Sequence, residues 1–296
     1  MANILVTGSN GQVGTELQHL AKKYSDFDFT FVDVADLDIT DTNAVYDFIN
    51  KGDFSYIINC AAYTAVDKAE TDEELAYKVN AEGAKNIAQA AVIRNIQMIH
   101  ISTDYVYHNG LARPLLETDE TNPQSVYAKT KLQGDQFVQM MMPSSMVIRT
   151  SWVYSSFGHN FVKTMLRLGK DRDELGIVAD QIGTPTYARD LAKAMLDIIF
   201  KMENGDLVSG KMQGIFHYSN EGISHWAEFA EAIFRLENIN CKVNQIGTED
   251  YPTPASRPPY SLLDKTKIKS TFDLEIPHWE DSLKECLELL REKDMG

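Results

Sequence analysis

Apolar residues fall in short unbroken runs that alternate with stretches of three-to-four spacing, and this alternation predicts the architecture. Residues 3–7, 29–32, 56–62, 98–101 and 146–149 are runs rich in aliphatic side chains with little polar alternation. Such runs suit strands of a parallel sheet covered on both faces. Between them, Glu16, Leu17, Leu20 and Ala21 mark one helix, and Leu75, Val79, Ile87 and Ala91 mark one face of a long helix over 73–94. The order β-α-β-α-β-α-β-loop-α-β up to residue 150 predicts an α/β fold with a doubly wound parallel sheet.

Past residue 150 the pattern loosens. Helices are expected over 161–168, 192–200, 226–236 and 282–290, with short strands near 215–218 and 242–246. The expectation is a sheet domain of 1–150 plus roughly 186–201, which would bind a dinucleotide. A smaller, partly interleaved C-terminal domain of 151–185 and 202–296 would bind substrate, in a cleft between the two.

The first strand runs directly into Gly8-Ser-Asn-Gly11-Gln12-Val13-Gly14. Glycines at this spacing, between a strand and a helix, allow a tight turn and close approach of backbone N–H groups to a pyrophosphate. The helix N-terminus that follows favours phosphate charge. The second strand ends in Asp33, a little over 20 residues past the glycines. An acid there suits a ribose 2′-hydroxyl and repels a 2′-phosphate, which favours NADH over NADPH; Asp33 capping its own loop is the alternative. Asp38 and Ile39 border the adenine in the same reading, although a helix N-cap at Thr40 or Asp41 explains that stretch equally well. Ala61, Ala62, Tyr63 and Thr64 put mostly small side chains at the end of the third strand, where a cofactor could pass closely. Asn80, in mid-helix, is open to a structural or a catalytic role. His100 sits in a strand body, as a packed core residue.

Chemistry is expected at the end of the fourth strand and on the helix after it. Ser102, Thr103 and Asp104 fall beyond a strand's C-terminal end, where open α/β sheets bind ligands. Tyr127 and Lys131 are four apart and share a helix face. A phenol titrates near ~10 and a neighbouring cation would pull it down into the range of a general acid. Thr103 could hydrogen-bond a substrate oxygen held by the same phenol. With 13 tyrosines in the chain the spacing alone is commonplace, so its meaning depends on the glycine turn upstream. The proline-flanked Arg257 reads as an anion clamp or as a surface arginine.

Composition narrows the partners. A net charge of −15 argues against nucleic acid and anionic membranes. Any anionic small substrate must then meet a local cluster of cations, for which Lys163, Arg257 and Arg149 are the candidates. No apolar run approaches the ~20 residues of a membrane span. The start of the chain carries no basic signal region, and the three scattered cysteines suit a reducing cytoplasm. The seven histidines show no ligand spacing, so no protein-held metal is expected, and an Mg2+ requirement would leave no signature.

With these residues in view, the chain resembles the extended short-chain dehydrogenase/reductases, and within them the group that completes dTDP-L-rhamnose synthesis. The likeness rests on Gly8-x-x-Gly11-Gln12-x-Gly14, Cys60 to Glu70, Ser102 to Val106, Tyr127-x-x-x-Lys131, Arg149 to Tyr154, Asn160 to Leu168, Asp180 to Thr186 and Arg257-Pro-x-x-Ser261. The resemblance implies a Rossmann sheet and reduction of the 4-keto group of dTDP-6-deoxy-L-lyxo-4-hexulose by NADH or NADPH. It implies that Gly8, Gly11, Gln12 and Val13 hold the diphosphate and Asp33 the adenine ribose. Asp38 and Ile39 would lie near the adenine, and Ala62, Tyr63 and Thr64 near the pyrophosphate and ribose. Tyr127 would donate the proton, with Lys131 as its electrostatic partner and ribose anchor. Thr103 and Asp104 would contact the sugar, and Trp152 would wall its pocket. A homodimer is compatible with the sequence, which does not fix the oligomeric state. The chain departs from the family in reading Tyr107-His108 where Phe and then Asp, Asn or Gln is usual, in a loop expected beside the sugar. Two other readings remain at this point. One is a different sugar-nucleotide 4-ketoreductase or epimerase. The other is a non-catalytic subunit like the regulatory partner of methionine adenosyltransferase.

Overall fold

The computed structural model describes residues 2–207 and 210–295, with side chains to 293; Met1, Val208, Ser209 and Gly296 lie outside the described residues. The first half alternates regularly: β1 (Ala2–Thr7), α1 (Gln12–Ala21), β2 (Phe27–Val32), α2 (Thr42–Lys51), β3 (Tyr56–Asn59), then α3 (Val66–Ala69), α4 (Glu73–Tyr77), α5 (Ala84–Ile93), β4 (Gln97–Thr103), α6 (Val126–Met141) and β5 (Met146–Thr150). The second half holds β6 (Val153–Tyr154), α7 (Phe161–Asp171), β7 (Glu174–Val178), β8 (Ile182–Gly183), β9 (Thr186–Tyr187), α8 (Ala188–Glu203) and β10 (Gly214–Tyr218). It ends with β11 (Ser224–His225), α9 (Trp226–Leu236), β12 (Lys242–Ile246), α10 (Thr266–Phe272) and α11 (Trp279–Met295).

Six strands form one parallel sheet in the order β10-β5-β4-β3-β1-β2. Winding reverses at β1, and the crevice beyond its C-terminal end is where such sheets bind ligands. The register lines up Thr7 with Asn59 and Thr103 with Thr150. Gly8, Cys60, Asp104 and Ser151 therefore leave the sheet along one edge. On one face Val13, Leu17 and Leu20 of α1 pack with Leu191, Met195 and Ile198 of α8. On the other, Val45, Ile49, Ile87 and Val138 cover Leu5, Ile57 and Val147. Burying both faces explains why the strands read as unbroken apolar runs.

A second core lies apart from the sheet. Val162, Met165, Leu175, Phe229, Ile233 and Trp279, with Leu283 and Leu287, join α7, α9, α11 and β7. Here the structure differs from the expected boundaries. Residues 214–218 fall in the stretch assigned to the smaller domain, yet β10 pairs with β5 as the sheet's edge strand. Phe216 packs there against Ile268 and Phe272 of α10, so α10 also belongs to the sheet layer. The short apolar run 215–218 was legible as a strand, but nothing local said which sheet it joins.

The long helix over 73–94 is also interrupted. A π-helical turn, Lys78–Gly83, separates α4 from α5. It rotates the face that precedes it, and Leu75, expected inward, is 48% exposed. The turn brings the Asn80 backbone against α6 at Gly134, where an added Cβ would stand 2.1 Å from the Asn80 carbonyl oxygen. Turns of this kind occur often at functional sites.

Candidate active site

The glycine turn adopts the close-packed form its spacing predicts. Gly8 has φ +65°, and a Cβ there would lie 2.6 Å from Ala61 Cα. Gly14 lets α1 start against the turn, since a Cβ would meet the Gly8 carbonyl oxygen at 2.4 Å. No side chain caps α1, so its first-turn N–H groups face outward without a side-chain acceptor. They open onto a cavity of about 780 Å³ along the C-terminal sheet edge. A backbone cradle of this shape, on an uncapped helix N-terminus, fits the pyrophosphate of a dinucleotide.

Fourteen of the expected residues line this one cavity. Gly8, Gly11, Gln12 and Val13 form the cradle, and Asp33, Asp38 and Ile39 lie at one end. Ala62 and Thr64 line the middle, with Thr103, Asp104, Tyr127, Lys131 and Trp152 at the other end. Asp33 ties its own loop and also faces the cavity. It lines the cavity, and its carboxylate accepts from Asn10 N–H at 2.8 Å and Val34 N–H at 2.8 Å. Asp38 holds its own loop by accepting from the Thr40 N–H and hydroxyl, while Asp41 caps α2.

Ser125 caps α6 by accepting from Ala128 N–H, which sets Tyr127 in the first turn and Lys131 one turn on. The expected electrostatics do not hold. Burial pushes the Tyr127 phenol up to about 12; Thr103 lowers it by hydrogen bonding and Asp104 and Asp135 raise it further. Lys131 does not bring it down, because the ammonium turns under the sheet edge and donates to the Ile101 carbonyl at 2.7 Å. Burial draws Lys131 itself down to about 8, against the pull of Asp135.

Thr103 and Asp104 act as a pair. The Thr103 hydroxyl donates to Asp104 at 3.2 Å and accepts from Tyr105 N–H. Asp104 is buried, and its Oδ2 has no partner. Burial raises its carboxyl to about 7, against the opposing pull of the nearby Ser261 and Thr103 hydroxyls. Trp152 has φ +49°, a strained value for a bulky residue. Stacking on Trp226, 3.8 Å between ring centroids, and a bond from Thr186 N–H to its carbonyl hold it there.

Five expectations are corrected. The Tyr63 side chain leaves the cavity and donates to Asp72 at 2.9 Å. Lys163 lines neither this cavity nor the one that adjoins it, because α7 turns Phe161, Thr164, Met165 and Leu168 inward and Lys163 lies on the opposite side of that helix. Arg149 is buried, with its guanidinium on Asp135 at 3.1 Å and the Tyr107 hydroxyl at 2.6 Å, so it offers no free charge. Tyr107 is likewise buried, also bonded to His217 at 2.8 Å, and does not stand beside the site. Arg257 is neither a bare clamp nor a surface residue. Its fork holds Asp67 at 2.6 and 2.7 Å.

Arg257 lines a second cavity of about 650 Å³ with Phe161, Leu168, Ile177, Tyr251 and Thr253. Tyr105 and Trp226 border both cavities, so the two adjoin. In the sequence Tyr105 reads only as part of the Ser102 to Val106 block and Trp226 only as the start of a helix, neither with a role in the site. The sequence leaves Asn80 open, and the structure gives it a role. Its side chain accepts from Tyr63 N–H at 2.8 Å and donates to the Tyr63 carbonyl at 3.2 Å and to Thr130 at 3.1 Å. Asn80 thus ties the cavity-lining strand end to the helix of Tyr127 and Lys131.

Comparison with known proteins agrees with this geometry. Residues 1–292 match the family model described as the RmlD substrate binding domain. A dTDP-4-dehydrorhamnose reductase of Aggregatibacter actinomycetemcomitans is 42% identical over 291 residues, covering 96% of this chain and 98% of the relative. The crystal structure of a dTDP-4-dehydrorhamnose reductase from Clostridium acetobutylicum superposes with a TM-score of 0.91 at 45% identity, over 98% of this chain and 99% of that one. That of a dTDP-4-dehydrorhamnose reductase from Bacillus anthracis, in complex with NADP, has a TM-score of 0.91 at 36% identity, over 98% and 100%.

Proposed function

The chain belongs to the RmlD substrate-binding-domain family of the extended short-chain dehydrogenase/reductases, and we propose that it reduces the 4-keto group of dTDP-6-deoxy-L-lyxo-4-hexulose to give dTDP-L-rhamnose. The observation that carries this reading is the meeting of the glycine cradle, Thr103, Tyr127 and Lys131 in one cavity that adjoins a second one. The first has room for a dinucleotide and a sugar. The second is rimmed by Arg257 and walled by aromatic and aliphatic side chains, as a nucleoside diphosphate requires.

A reduced nicotinamide, when bound, supplies the hydride. The chain's own residues do the rest. The α1 N-terminal turn holds the pyrophosphate, and Lys131 holds a ribose hydroxyl. Tyr127 gives its phenolic proton to the oxygen that becomes the new alcohol. A phenol at about 12 is fully protonated at neutral pH and so stands ready as the donor. The Thr103 hydroxyl, which donates to Asp104 and faces the phenol, would turn its one proton to the oxygen where negative charge grows.

NADH is the cofactor this reading favours. Asp33 and Asp38 crowd the far end of the cavity, and Lys131 is the one Lys or Arg among the described residues that line it. A 2′-phosphate would meet carboxylates with no cation to offset them. A retired, non-catalytic scaffold has no use for Thr103, Tyr127 and Lys131 together in one cavity, which weighs against the regulatory-subunit reading. The deciding experiment supplies dTDP-4-keto-6-deoxyglucose, a 3,5-epimerase and NADH or NADPH, and identifies the sugar formed. Formation of dTDP-L-rhamnose supports the proposal. Turnover only of UDP- or GDP-linked 4-keto sugars would replace it with another sugar-nucleotide reductase.

A further inference from the structure

A buried carboxylate outside the cavity has an oxygen with nothing to bind. Asp135 lies one turn past Lys131 on α6, with its side chain 2% exposed. Its Oδ2 accepts from Arg149 Nε at 3.1 Å, while its Oδ1 has no partner. That oxygen stands 3.8 Å from His100 Nε2, and His100 Nε2 stands 3.4 Å from Lys131 Nζ.

Hydrogen-bond logic fixes where the His100 proton sits. Asn59 Oδ1 accepts from Ala61 N–H at 3.1 Å and from the Thr7 hydroxyl at 2.7 Å, so its amide nitrogen is the end that faces His100 Nδ1, at 3.0 Å. An amide nitrogen only donates, which makes Nδ1 the bare acceptor and puts the proton of neutral His100 on Nε2. Nε2–H and the Lys131 ammonium then confront each other as two donors. Two donors so placed call for an acceptor, and the unpartnered Asp135 Oδ1, 3.8 Å from Nε2, lies beyond direct hydrogen-bond distance, where a bridging water serves.

We propose that one buried water links Asp135 Oδ1 to both His100 Nε2–H and the Lys131 ammonium, donating to the carboxylate and accepting from the two, so that Asp135 and His100 are positioning residues that keep Lys131 charged. This rests on the role given to Lys131 above. The groups facing Lys131 are consistent with it. Cys60, from the end of β3, carries a thiol that burial pushes up to about 12, and is neutral. His100, from β4, is held neutral by burial and by Lys131. Tyr127, on α6 itself, is a protonated phenol. Arg149, from β5, lies behind the carboxylate that binds it. Asp135 is thus the counter-charge for two cations, and of these only Lys131 can lose its proton at moderate pH.

The test compares wild type with Asp135→Asn, His100→Gln and Tyr107→Phe, the last removing a partner of Arg149 without touching Lys131. The readouts are kcat/KM and NADH affinity from pH 5.5 to 9.5, with melting temperature as a check on folding. Wild-type activity should fall on the alkaline side as Lys131 loses its proton. In Asp135→Asn that limb should move to lower pH by about one unit or more, with rate recovered on the acid side, as loss of an opposite charge demands. His100→Gln should move it the same way by less, and Tyr107→Phe should leave it in place. A limb that stays put in both Asp135→Asn and His100→Gln overturns the proposal. So does a loss of rate equal at every pH, which is the mark of a merely structural residue. Should Asp135→Asn not fold, His100→Gln decides alone. Absence of turnover in wild type would count against the proposed reaction instead, and the pH dependence of NADH affinity would still judge Asp135.

Discussion

Asp67 and Arg257, 190 residues apart, are joined by a bidentate ion pair at 2.6 and 2.7 Å, to which Ala255 N–H adds a third bond on Asp67. The pair ties α3, next to the cofactor-sized cavity, to the loop that rims the second one. It also leaves that rim nearly neutral in a protein of net charge −15. Arg257→Ala would therefore do two harms: remove a cation and leave the Asp67 carboxylate bare toward an anionic substrate. We expect KM to rise by roughly tenfold, as loss of one partner of a half-buried, bidentate pair at a binding rim does. Adding Asp67→Ala should recover part of that loss, and steady-state kinetics on the four members of the cycle would show it. Purely additive effects would mean that the pair does not face the substrate.

Tyr127→Phe isolates the proton donor. The hydroxyl is lost while the ring, which meets Tyr105 edge-on at 5.7 Å, stays. Turnover should fall by roughly 10²–10⁴, the usual worth of a positioned acid. NADH affinity, read by fluorescence titration, should stay within a factor of two or so. Near-normal turnover would remove Tyr127 from the chemistry.

How much was legible follows from how local each feature is. The glycine cradle, Tyr127 with Lys131, and Thr103 with Asp104 are each set by neighbours within a few residues, and all reach the cavity. What failed depended on partners far away in sequence. Arg257 was open to two readings because Asp67 could not be seen, and Arg149 was taken for a free cation because Asp135 and Tyr107 could not. Tyr107 was expected beside the sugar, but Arg149 and His217 draw it into the interior. Lys163 was placed by composition, and the inward face of α7 decides against it. The sign of the Tyr127 shift was misread for a different reason: helical spacing gives proximity to Lys131 but says nothing of burial, and burial dominates.

Asn80 offers a test of support from outside the chemistry. It satisfies both the N–H and the carbonyl of Tyr63 and reaches Thr130 on α6. Asn80→Ala would strand two half-buried backbone groups, at a cost of about 1–3 kcal/mol for each left without water. Urea unfolding should show that loss, and NADH affinity should weaken because Ala62 and Thr64 line the cavity on either side of Tyr63. An unchanged midpoint would mean that water replaces the amide fully.

Cofactor choice turns on Asp33. Its two backbone bonds make it part of the loop, so Asp33→Asn, which keeps one acceptor oxygen, is the gentler probe. Wild type should prefer NADH over NADPH in kcat/KM. The variant should narrow that ratio by about tenfold, since one unit charge near a phosphate is worth roughly 1 kcal/mol or more at short range. A wild-type preference for NADPH would refute the reading of this end of the cavity.

Asp104 links stability to pH with a definite sign. Its folded carboxyl sits near 7 because burial opposes the charge, against an ordinary value of 3.8. A carboxyl raised on folding binds its proton more tightly in the native state. Its contribution is therefore complete below about pH 4 and is lost as pH climbs toward and through about 7. At pH 8 the protein carries a buried carboxylate whose Oδ2 has no partner. Asp104→Asn removes that charge and keeps the acceptor toward Thr103. The variant should match wild type within about 1 kcal/mol at pH 5, and exceed it at pH 8 by on the order of 2 kcal/mol, within the ~1.4 kcal/mol that each pK unit allows. Denaturant unfolding of both proteins at the two pH values measures the difference. A gap that is the same at pH 5 and pH 8 would show that Asp104 titrates at its ordinary value, with water reaching it through the cavity it lines.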